Sequence, residues 1–103
     1  PDPRDYSVDI SNMILHHVWL PYADFSDVYC WNTDFHDVML LGANLRRAEF
    51  NGARFDWCDF KDVDFTDADL SGVSMKRPEN LKRSQLAKAR NVPDAVLDAA
   101  SED

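Results

Sequence analysis

Residues 43–70 read ANLRR AEFNG ARFDW CDFKD VDFTD ADL when they are written in groups of five. The third residue of every group is Leu or Phe, and the first residue is Ala, Cys or Val. A period of five fits neither the 3.6-residue period of an α-helix nor the two-residue period of a flat strand. It therefore indicates a supersecondary unit that is repeated along a solenoid.

The same frame continues on both sides of this stretch. Every fifth residue from Ile10 to Met75 is apolar, and we call these residues the centre positions. Two residues before each centre lies a smaller side chain, in a series from Val8 to Val73 that is apolar except at Thr33. The other three residues of each group carry the charge. We therefore expect two inward side chains in every five residues, on a short extended segment that ends in a corner.

This pattern resembles the pentapeptide-repeat family, in which Ala is followed by Asp or Asn, then by Leu or Phe, and then by two variable residues. The best matches are Ala23-Asp24-Phe25, Ala43-Asn44-Leu45, Ala48-Glu49-Phe50, Ala53-Arg54-Phe55 and Ala68-Asp69-Leu70. The resemblance implies an all-β fold, namely a right-handed quadrilateral β-helix with four pentads in each coil. The fourteen pentads of the chain would then make about three and a half coils.

The frame divides the chain into three parts. Residues 1–7 are a lead-in, residues 8–77 form the β-helix, and residues 78–103 form a short C-terminal α-helical cap and tail. The cap is predicted from apolar residues at helical spacing, which are Leu81, Leu86, Ala89 and Val92. We expect this helix to end near Asn91, and a second short helix to begin with Pro93 in its first turn.

The N-terminal end of the predicted solenoid has little to cover it. An open end of a β-helix exposes core side chains and unpaired backbone groups. The lead-in contains one large apolar side chain, Tyr6. We therefore expect the first coil to need cover from a further segment or from another chain. Because the chain begins with Pro1 and not with Met, we also expect it to be a trimmed or excised piece of a polypeptide.

The two cysteines of the chain both fall on inward positions. If residues twenty apart lie over one another, Cys30 stacks between Ile10 and Phe50, whereas Cys58 lies near Val38 on another side. We interpret both as free core thiols, because buried Cys behaves as a small hydrophobic residue. A reducing, cytoplasmic location fits this pattern best.

Charge and hydropathy exclude several classes of partner. The chain carries 19 acidic and 11 basic residues, for a formal net charge of −8. This balance argues against direct binding of a nucleic acid through its phosphates. Apolar stretches are all far shorter than a membrane span requires. The sequence also has three glycines and no Gly-rich phosphate loop, so it predicts neither an enzyme nor a cofactor site.

The histidines are a candidate for a metal site. Stacking by twenty places His16 over His36, with Asp56 next in the same column, and places His17 over Asp37. Two imidazoles about 5 Å apart could share a zinc ion with a nearby carboxylate such as Asp34 or Asp37. The alternative is that outward positions of such a repeat are simply polar and variable. We adopt the second interpretation and predict no metal site.

Outward apolar side chains lie mainly in the first half of the chain. The side centred on Leu20 and Leu40 collects a group of them, and a second group is expected on the adjoining side. The predicted partner-binding residues are Trp19, Tyr22, Met39 and Leu41 on the first side, with Tyr29 and Trp31 on the second. A contiguous aromatic patch of this kind is typical of a protein interface. The alternative is that a further segment of the same molecule covers it.

Acidic residues concentrate in the second half of the repeats. The predicted acidic face consists of Asp56, Asp59, Asp62, Asp64, Asp67 and Asp69. In the family that the chain resembles, a quinolone-resistance group resembles duplex DNA in shape and charge and occupies the DNA-binding saddle of DNA gyrase. The simpler interpretation is that Asp is the common residue beside the centre position and keeps the rod soluble.

The function predicted from the sequence is a non-enzymatic protein–protein interaction module. Its partner is another protein or a second copy of the chain, so that the chain is a homo-oligomer or a domain of a larger protein. The alternative is a DNA-mimicking inhibitor of a type II topoisomerase, acting through the acidic face.

Overall fold

The computed structural model describes residues 8–102. The predicted lead-in of residues 1–7, with Tyr6, lies outside the described residues. Four three-residue strands form one parallel sheet in chain order: β1 (Ile14–His16), β2 (Asp34–His36), β3 (Arg54–Asp56) and β4 (Ser74–Lys76). Their register pairs residues that are twenty apart, such as Leu15 with Phe35 and Phe35 with Phe55. One turn of the solenoid is therefore four pentads.

The other three sides of the solenoid repeat the same spacing through single parallel bridges. Examples are Trp19 with Met39, Asp24 with Asn44, and Tyr29 with Glu49. The four sides are named here by their centre residues: the sheet side (Leu15, Phe35, Phe55, Met75), the Leu40 side (Leu20, Leu40, Phe60), the Leu45 side (Phe25, Leu45, Phe65) and the Phe50 side (Ile10, Cys30, Phe50, Leu70). The right-handed quadrilateral β-helix predicted from the sequence is confirmed.

A left-handed residue forms the corner at the end of each pentad. All fourteen final residues, from Asn12 to Arg77, have φ between +50° and +71°. At most corners the next pentad's first N–H returns to a centre carbonyl, as from Ala43 to Leu40 at 2.8 Å. A positive φ at the third residue of such a turn favours Gly or Asn. Only three corners are Gly, at Gly42, Gly52 and Gly72.

The core is a column of inward side chains. Phe35 and Phe55 stack with ring centroids 4.6 Å apart, and Phe50 and Phe60 meet Phe55 edge-on at 5.3 and 5.4 Å. Thr33, the polar exception in the inward series, is fully buried, and its Oγ1 donates a hydrogen bond to the carbonyl oxygen of Ile10 at 2.9 Å. The hydroxyl is therefore satisfied inside the core.

The C-terminal cap contains two short helices, α1 (Arg83–Leu86) and α2 (Asp94–Ala99). The prediction that the first helix continues to about Asn91 is wrong. After α1 the chain rejoins the coil, where the N–H of Arg90 donates to the carbonyl of Ala68 at 2.8 Å. The open edge of the last coil needs backbone partners, and this requirement overrides the helical spacing of the apolar residues. The second helix begins directly after Pro93, close to its predicted start.

Both cysteines are buried and unbridged. Burial raises the pKa of the Cys30 thiol to about 12 and that of the Cys58 thiol to about 11. Among the described residues there is no helix with the length and apolar content needed to cross a bilayer.

Candidate functional site

Exposed hydrophobic side chains concentrate at the N-terminal end of the solenoid. Among residues 8–102, five of the seven large hydrophobic residues that are exposed lie between Val8 and Tyr22. We call these five the N-terminal apolar surface; their exposed fractions are Val8 59%, Met13 46%, Ile14 66%, Trp19 72% and Tyr22 74%. They lie on three sides of the first coil: Val8 on the Phe50 side, Met13 and Ile14 on the sheet side, and Trp19 and Tyr22 on the Leu40 side. Exposed large apolar residues grouped at one end of a domain are typical of contact sites.

Ile14, Trp19 and Tyr22 are exposed because they occupy outward positions of their pentads, whereas Val8 and Met13 occupy inward positions of the first coil. The inward residues of this coil lack a coil above them within the described chain, so they are only partly buried; they include Ile10, Leu15, Val18, Leu20 and Phe25. In the next coil the equivalent inward residues are buried. Leu40, for example, lies under Leu20 and is 1% exposed. The N-terminal apolar surface therefore combines outward apolar side chains with the partly covered inward residues of the first coil.

Within residues 8–102, the first coil also has a backbone edge that no other coil covers. In later coils, the residue before each centre pairs with the coil above; Asn44, for example, donates its N–H to the carbonyl of Ala23 at 2.9 Å. The carbonyl oxygen of Asn44 in turn accepts a hydrogen bond from the N–H of Phe25 at 2.8 Å. Residues 8–102 contain no coil that pairs in this way with Trp19 and Asp24. Such an edge is a template for adding another strand.

Four of the predicted partner-binding residues lie together on the Leu40 side. Trp19 pairs with Met39 across neighbouring coils, and the N–H of Tyr22 donates to the carbonyl of Leu41 at 2.7 Å. The Tyr22 ring lies over Gly42, where an added Cβ would come within 2.6 Å of the ring. Met39 and Leu41 are half-buried, so Trp19 and Tyr22 provide most of the exposed area on this side.

The other two predicted residues are not on an adjoining side, and this part of the prediction is wrong. Tyr29 pairs with Glu49 on the Phe50 side, which is opposite the Leu40 side. Residues ten apart are separated by two pentads, which is half of a coil. The Trp31 indole Nε1 donates to Glu49 Oε1 at 3.2 Å. Tyr29 and Trp31 therefore belong to a separate surface.

The six predicted acidic residues encircle the solenoid. Their backbone positions are on the sheet side for Asp56, on the Leu40 side for Asp59, on the Leu45 side for Asp64, on the Phe50 side for Asp69, and at corners for Asp62 and Asp67. They were predicted to lie on one face because they are close together along the chain. One coil is twenty residues long, so a run of fourteen residues must turn most of the way around it.

Several of these carboxylates have local structural roles. Asp59, Asp64 and Asp69 each accept a hydrogen bond from the backbone N–H two residues later, at 3.0, 2.9 and 3.0 Å. This contact closes an Asx-type turn before the corner. It explains why Asp or Asn precedes the centre residue in so many pentads. An Asp followed two residues later by Thr or Ser, as in Asp64 with Thr66 and Asp69 with Ser71, is the sequence signal for this turn.

Arg77 partly neutralises the charge of Asp56, one of the six predicted acidic residues. Arg77 Nη2 lies 2.7 Å from Asp56 Oδ1, and this hydrogen bond lowers the pKa of the Asp56 carboxyl. The Arg77 guanidinium also lies over the Trp57 ring, 4.8 Å from its centroid. A cation over an indole shields one face of that ring.

All three histidines of the chain meet at one corner of the solenoid. The predicted stacking of His16 over His36 is present, with ring centroids 5.1 Å apart. His17 Nδ1 lies 2.7 Å from Asp37 Oδ2, as the stacking by twenty predicted. As the side chains stand, no group of three or more His, Cys, Asp or Glu among residues 8–102 is arranged to hold a metal ion.

A family model described as pentapeptide repeats matches the chain in eight copies, over residues 23–62 and 40–77. The chain is similar to the crystal structure of a pentapeptide repeat protein from the thylakoid lumen of Arabidopsis thaliana, at 25% identity and a TM-score of 0.67, over 72% of this chain and 52% of that one. It is equally similar to a pentapeptide repeat protein from the cyanobacterium Cyanothece 51142, at 27% identity and a TM-score of 0.67, over 69% and 48% of the two chains. The chain thus spans about half the length of these structures. The comparison with curated proteins gave no match.

Proposed function

This chain belongs to the pentapeptide-repeat family, and on that premise we propose that it is a non-enzymatic protein–protein interaction module. It binds its partner through the N-terminal apolar surface. The partner is a second copy of the chain or another protein chain. The observation that carries this proposal is the exposure of Trp19 and Tyr22, at 72% and 74%, beside an incompletely covered core.

Two features of the first coil support binding at this end. Trp and Tyr are enriched in the energetically dominant parts of protein interfaces, because they bury a large area with few rotatable bonds. The open backbone edge beside them offers hydrogen-bond donors and acceptors to an added strand. A partner that lies on this end can therefore bury the aromatic side chains and pair the edge together.

The charged side chains of the coils support a structural rather than a catalytic role. Asp64 and Asp69 accept hydrogen bonds within their own turns, and Arg47 forms a two-pronged ion pair with Asp27 in the coil above at 2.8 and 3.0 Å. These groups hold the repeat together. We also place the protein in the cytoplasm, because a reducing compartment suits its two free, buried thiols.

The proposal is tested by changing one tryptophan and comparing it with another. Trp19→Asp introduces a charge into the N-terminal apolar surface and should abolish self-association or hydrophobic-dye binding without lowering the melting temperature. Trp57→Asp is the matched control, because Trp57 is also exposed but lies two coils away, beside Arg77. Sedimentation and dye fluorescence over a concentration series measure the effect.

The outcomes separate clearly. Loss of association in Trp19→Asp, with wild-type behaviour in Trp57→Asp, supports the proposal. A wild-type chain that stays monomeric at high concentration and binds no hydrophobic dye contradicts it. Equal effects of the two substitutions would also contradict it, because they would indicate a general change in solubility.

DNA mimicry by the acidic residues has less support. A mimic presents its carboxylates as an array along one surface, whereas Asp59, Asp64 and Asp69 lie on three different sides. Three and a half coils at about 4.8 Å per coil also span only about five base pairs. Inhibition of gyrase supercoiling by the wild-type chain, lost on replacing Asp59, Asp62, Asp64 and Asp67 by Asn, would favour the alternative.

A further inference from the structure

We propose that a small pocket lined by Asp37, Trp57 and Glu79 binds one positively charged side chain of a partner protein, with arginine as its best representative. The pocket lies where the sheet side meets the Leu40 side. None of its lining residues belongs to the N-terminal apolar surface, so it is a second binding site that goes beyond the proposed function.

The pocket lies between two neighbouring rows of outward side chains. His17, Asp37 and Trp57 occupy the same corner of three successive coils, and Met39 and Glu79 belong to the adjacent row on the Leu40 side. The volume of the pocket is about 270 Å³, and its lining residues are His17, His36, Asp37, Met39, Trp57 and Glu79. Pockets that hold free small molecules usually have volumes of about 300–1,000 Å³. The size therefore suits a single side chain.

The charge of the lining favours a cation. With histidine counted as neutral at pH 7, Asp37 and Glu79 give the lining two negative charges and no positive one. Arg54 and Lys76 line a separate groove on the sheet side. A cation that enters the pocket therefore meets two carboxylates and no basic side chain.

The two carboxylates have oxygen atoms available for a ligand. Asp37 Oδ2 lies 2.7 Å from His17 Nδ1, which holds the carboxylate in place and leaves Oδ1 unbonded among residues 8–102. The Glu79 carboxylate forms no hydrogen bond or ion pair within the same residues. A guanidinium or ammonium group would give both of them charge-assisted hydrogen bonds.

Trp57 supplies an aromatic surface for the cation. Its side chain is 47% exposed, and the face of an indole ring attracts cations. Arg77 shows this attraction within the chain, because its guanidinium lies 4.8 Å from the Trp57 centroid. Arg77 does not line the pocket, and its charge is paired with Asp56 at 2.7 Å. The pocket therefore borders a part of the indole that Arg77 leaves open.

This combination of groups suits arginine better than lysine. A planar guanidinium stacks on an aromatic ring and presents five N–H donors, so it can bond carboxylates while it lies on Trp57. A lysine ammonium is a compact charge that does not stack. Met39 offers an apolar contact to the methylene groups of either side chain.

The net charge of the chain indicates the kind of partner. The chain has a formal net charge of −8. A second copy of so acidic a chain is repelled at long range, whereas a basic protein is attracted. The occupant we infer is therefore an arginine of a different, basic protein.

The test is an NMR titration of the ¹⁵N-labelled 103-residue chain with the peptide acetyl-Gly-Arg-Gly-amide at low ionic strength. The same peptide with citrulline in place of arginine has nearly the same shape and no charge. The chain contains three tryptophans, so the Trp57 indole N–H signal can be assigned by substitution. We expect saturable shifts of this signal and of the Asp37 and Glu79 amides with the arginine peptide only. No saturable shift at Trp57, or equal shifts with citrulline, would overturn the proposal.

A matched pair of variants separates the pocket from general attraction of cations to an acidic protein. Glu79→Gln should weaken binding of the arginine peptide at least about fivefold, because a charge-assisted hydrogen bond is lost. Glu49→Gln makes the same charge change on the Phe50 side, where Glu49 accepts from Trp31, and should leave the affinity unchanged. Equal losses in the two variants, or no loss in Glu79→Gln, would contradict a specific pocket.

A second pair of variants tests the aromatic contact. Trp57→Leu should weaken binding of the arginine peptide at least about threefold, because the attraction between the cation and the ring is removed. Trp31→Leu, at an exposed tryptophan on the Phe50 side, is the control and should have no effect. The amide signals of Asp37 and Glu79 measure both. Unchanged affinity in Trp57→Leu, with a wild-type thermal melt, would overturn the proposal.

Sedimentation distinguishes the inferred partner from a second copy. Glu79→Gln should leave the oligomeric state of the chain unchanged, because the occupant belongs to a different protein. Loss of self-association in Glu79→Gln would assign the pocket to a second copy and would overturn the inferred partner.

Discussion

The side-chain Nε2 of Gln85 donates a hydrogen bond to the main-chain oxygen of Phe60 at 2.8 Å. The same amide nitrogen lies 3.0 Å from the carbonyl oxygen of Val63, and Gln85 Oε1 accepts from the N–H of Lys82 at 2.7 Å. In a regular coil the carbonyl at the position of Val63 accepts a backbone N–H, as Ala43 does from Asp64 at 3.1 Å. The chain leaves the coil here, and the Gln85 amide replaces that donor.

Removing this amide should loosen the cap. Gln85→Ala leaves two carbonyls without this donor and should cost about 1–3 kcal/mol in the free energy of unfolding. Arg83→Ala is the control, since its ion pair with Glu102 is exposed and 3.8 Å long, and it should cost less than about 0.5 kcal/mol. Denaturant melts measure both. Similar losses of stability in the two variants would show that the hydrogen bonds from Gln85 to Phe60 and Val63 do not stabilise the cap.

The aromatic column should dominate the stability of the coils. Phe55 is 1% exposed and contacts Phe35, Phe50 and Phe60, so Phe55→Ala should cost about 3–5 kcal/mol. Lys61→Ala, at an exposed outward position, should change stability by less than about 0.5 kcal/mol. A loss below about 1 kcal/mol for Phe55→Ala in denaturant melts would contradict the inward placement of the centre positions.

The left-handed corners predict an unusual order of substitutions. Asp62 has φ 58° and is exposed. Most L residues are strained by about 1–2 kcal/mol in this left-handed conformation. Asp is strained less, because its short side chain can form local hydrogen bonds, and Gly has no Cβ and is not strained. Asp62→Ala should therefore cost about 1 kcal/mol, and Asp62→Gly should be neutral or stabilising. Thermal melts in which the Ala variant is at least as stable as the Gly variant would refute this explanation.

Asp69 should make stability depend on acidity. Burial raises the pKa of Asp69, but hydrogen bonds from Ser71, Asn91 and Asn51 outweigh it and lower the pKa to about 2. The unfolded value is higher, at about 3.9. Because the folded pKa is depressed, the contribution is fully present above about pH 5 and is lost as the pH falls through 3.9 toward 2.

Denaturant midpoints between pH 6 and pH 2.5 measure this contribution. Asp69→Asn should reduce the acid sensitivity of the midpoint, and Ser71→Ala should reduce it in part, because Ser71 Oγ donates to Asp69 Oδ1 at 2.6 Å. An unchanged pH dependence in Asp69→Asn would show that other carboxylates account for the acid response.

The five-residue period determines which side chains point inward. The centre series from Ile10 to Met75 and the small series from Val8 to Val73 predicted the core, because a buried column tolerates only apolar or internally satisfied groups. Together with the family resemblance, this also predicted the stacking by twenty that brings His17 to Asp37. The concentration of exposed apolar residues in the first half likewise followed from the sequence.

Only the tertiary structure decided how the outward side chains are grouped. A one-dimensional period does not distinguish neighbours along the chain from neighbours around the coil, so Tyr29 was placed beside the Leu40 side although it lies opposite. For the same reason, the acidic residues from Asp56 to Asp69 were predicted to share one face, although they lie around the whole solenoid. Helix α1 ends at Leu86 because Arg90 pairs with the open edge of the last coil. The three histidine rings lie near one another because they occupy one corner of neighbouring coils. Each of these features arises from contacts between coils, which local spacing does not encode.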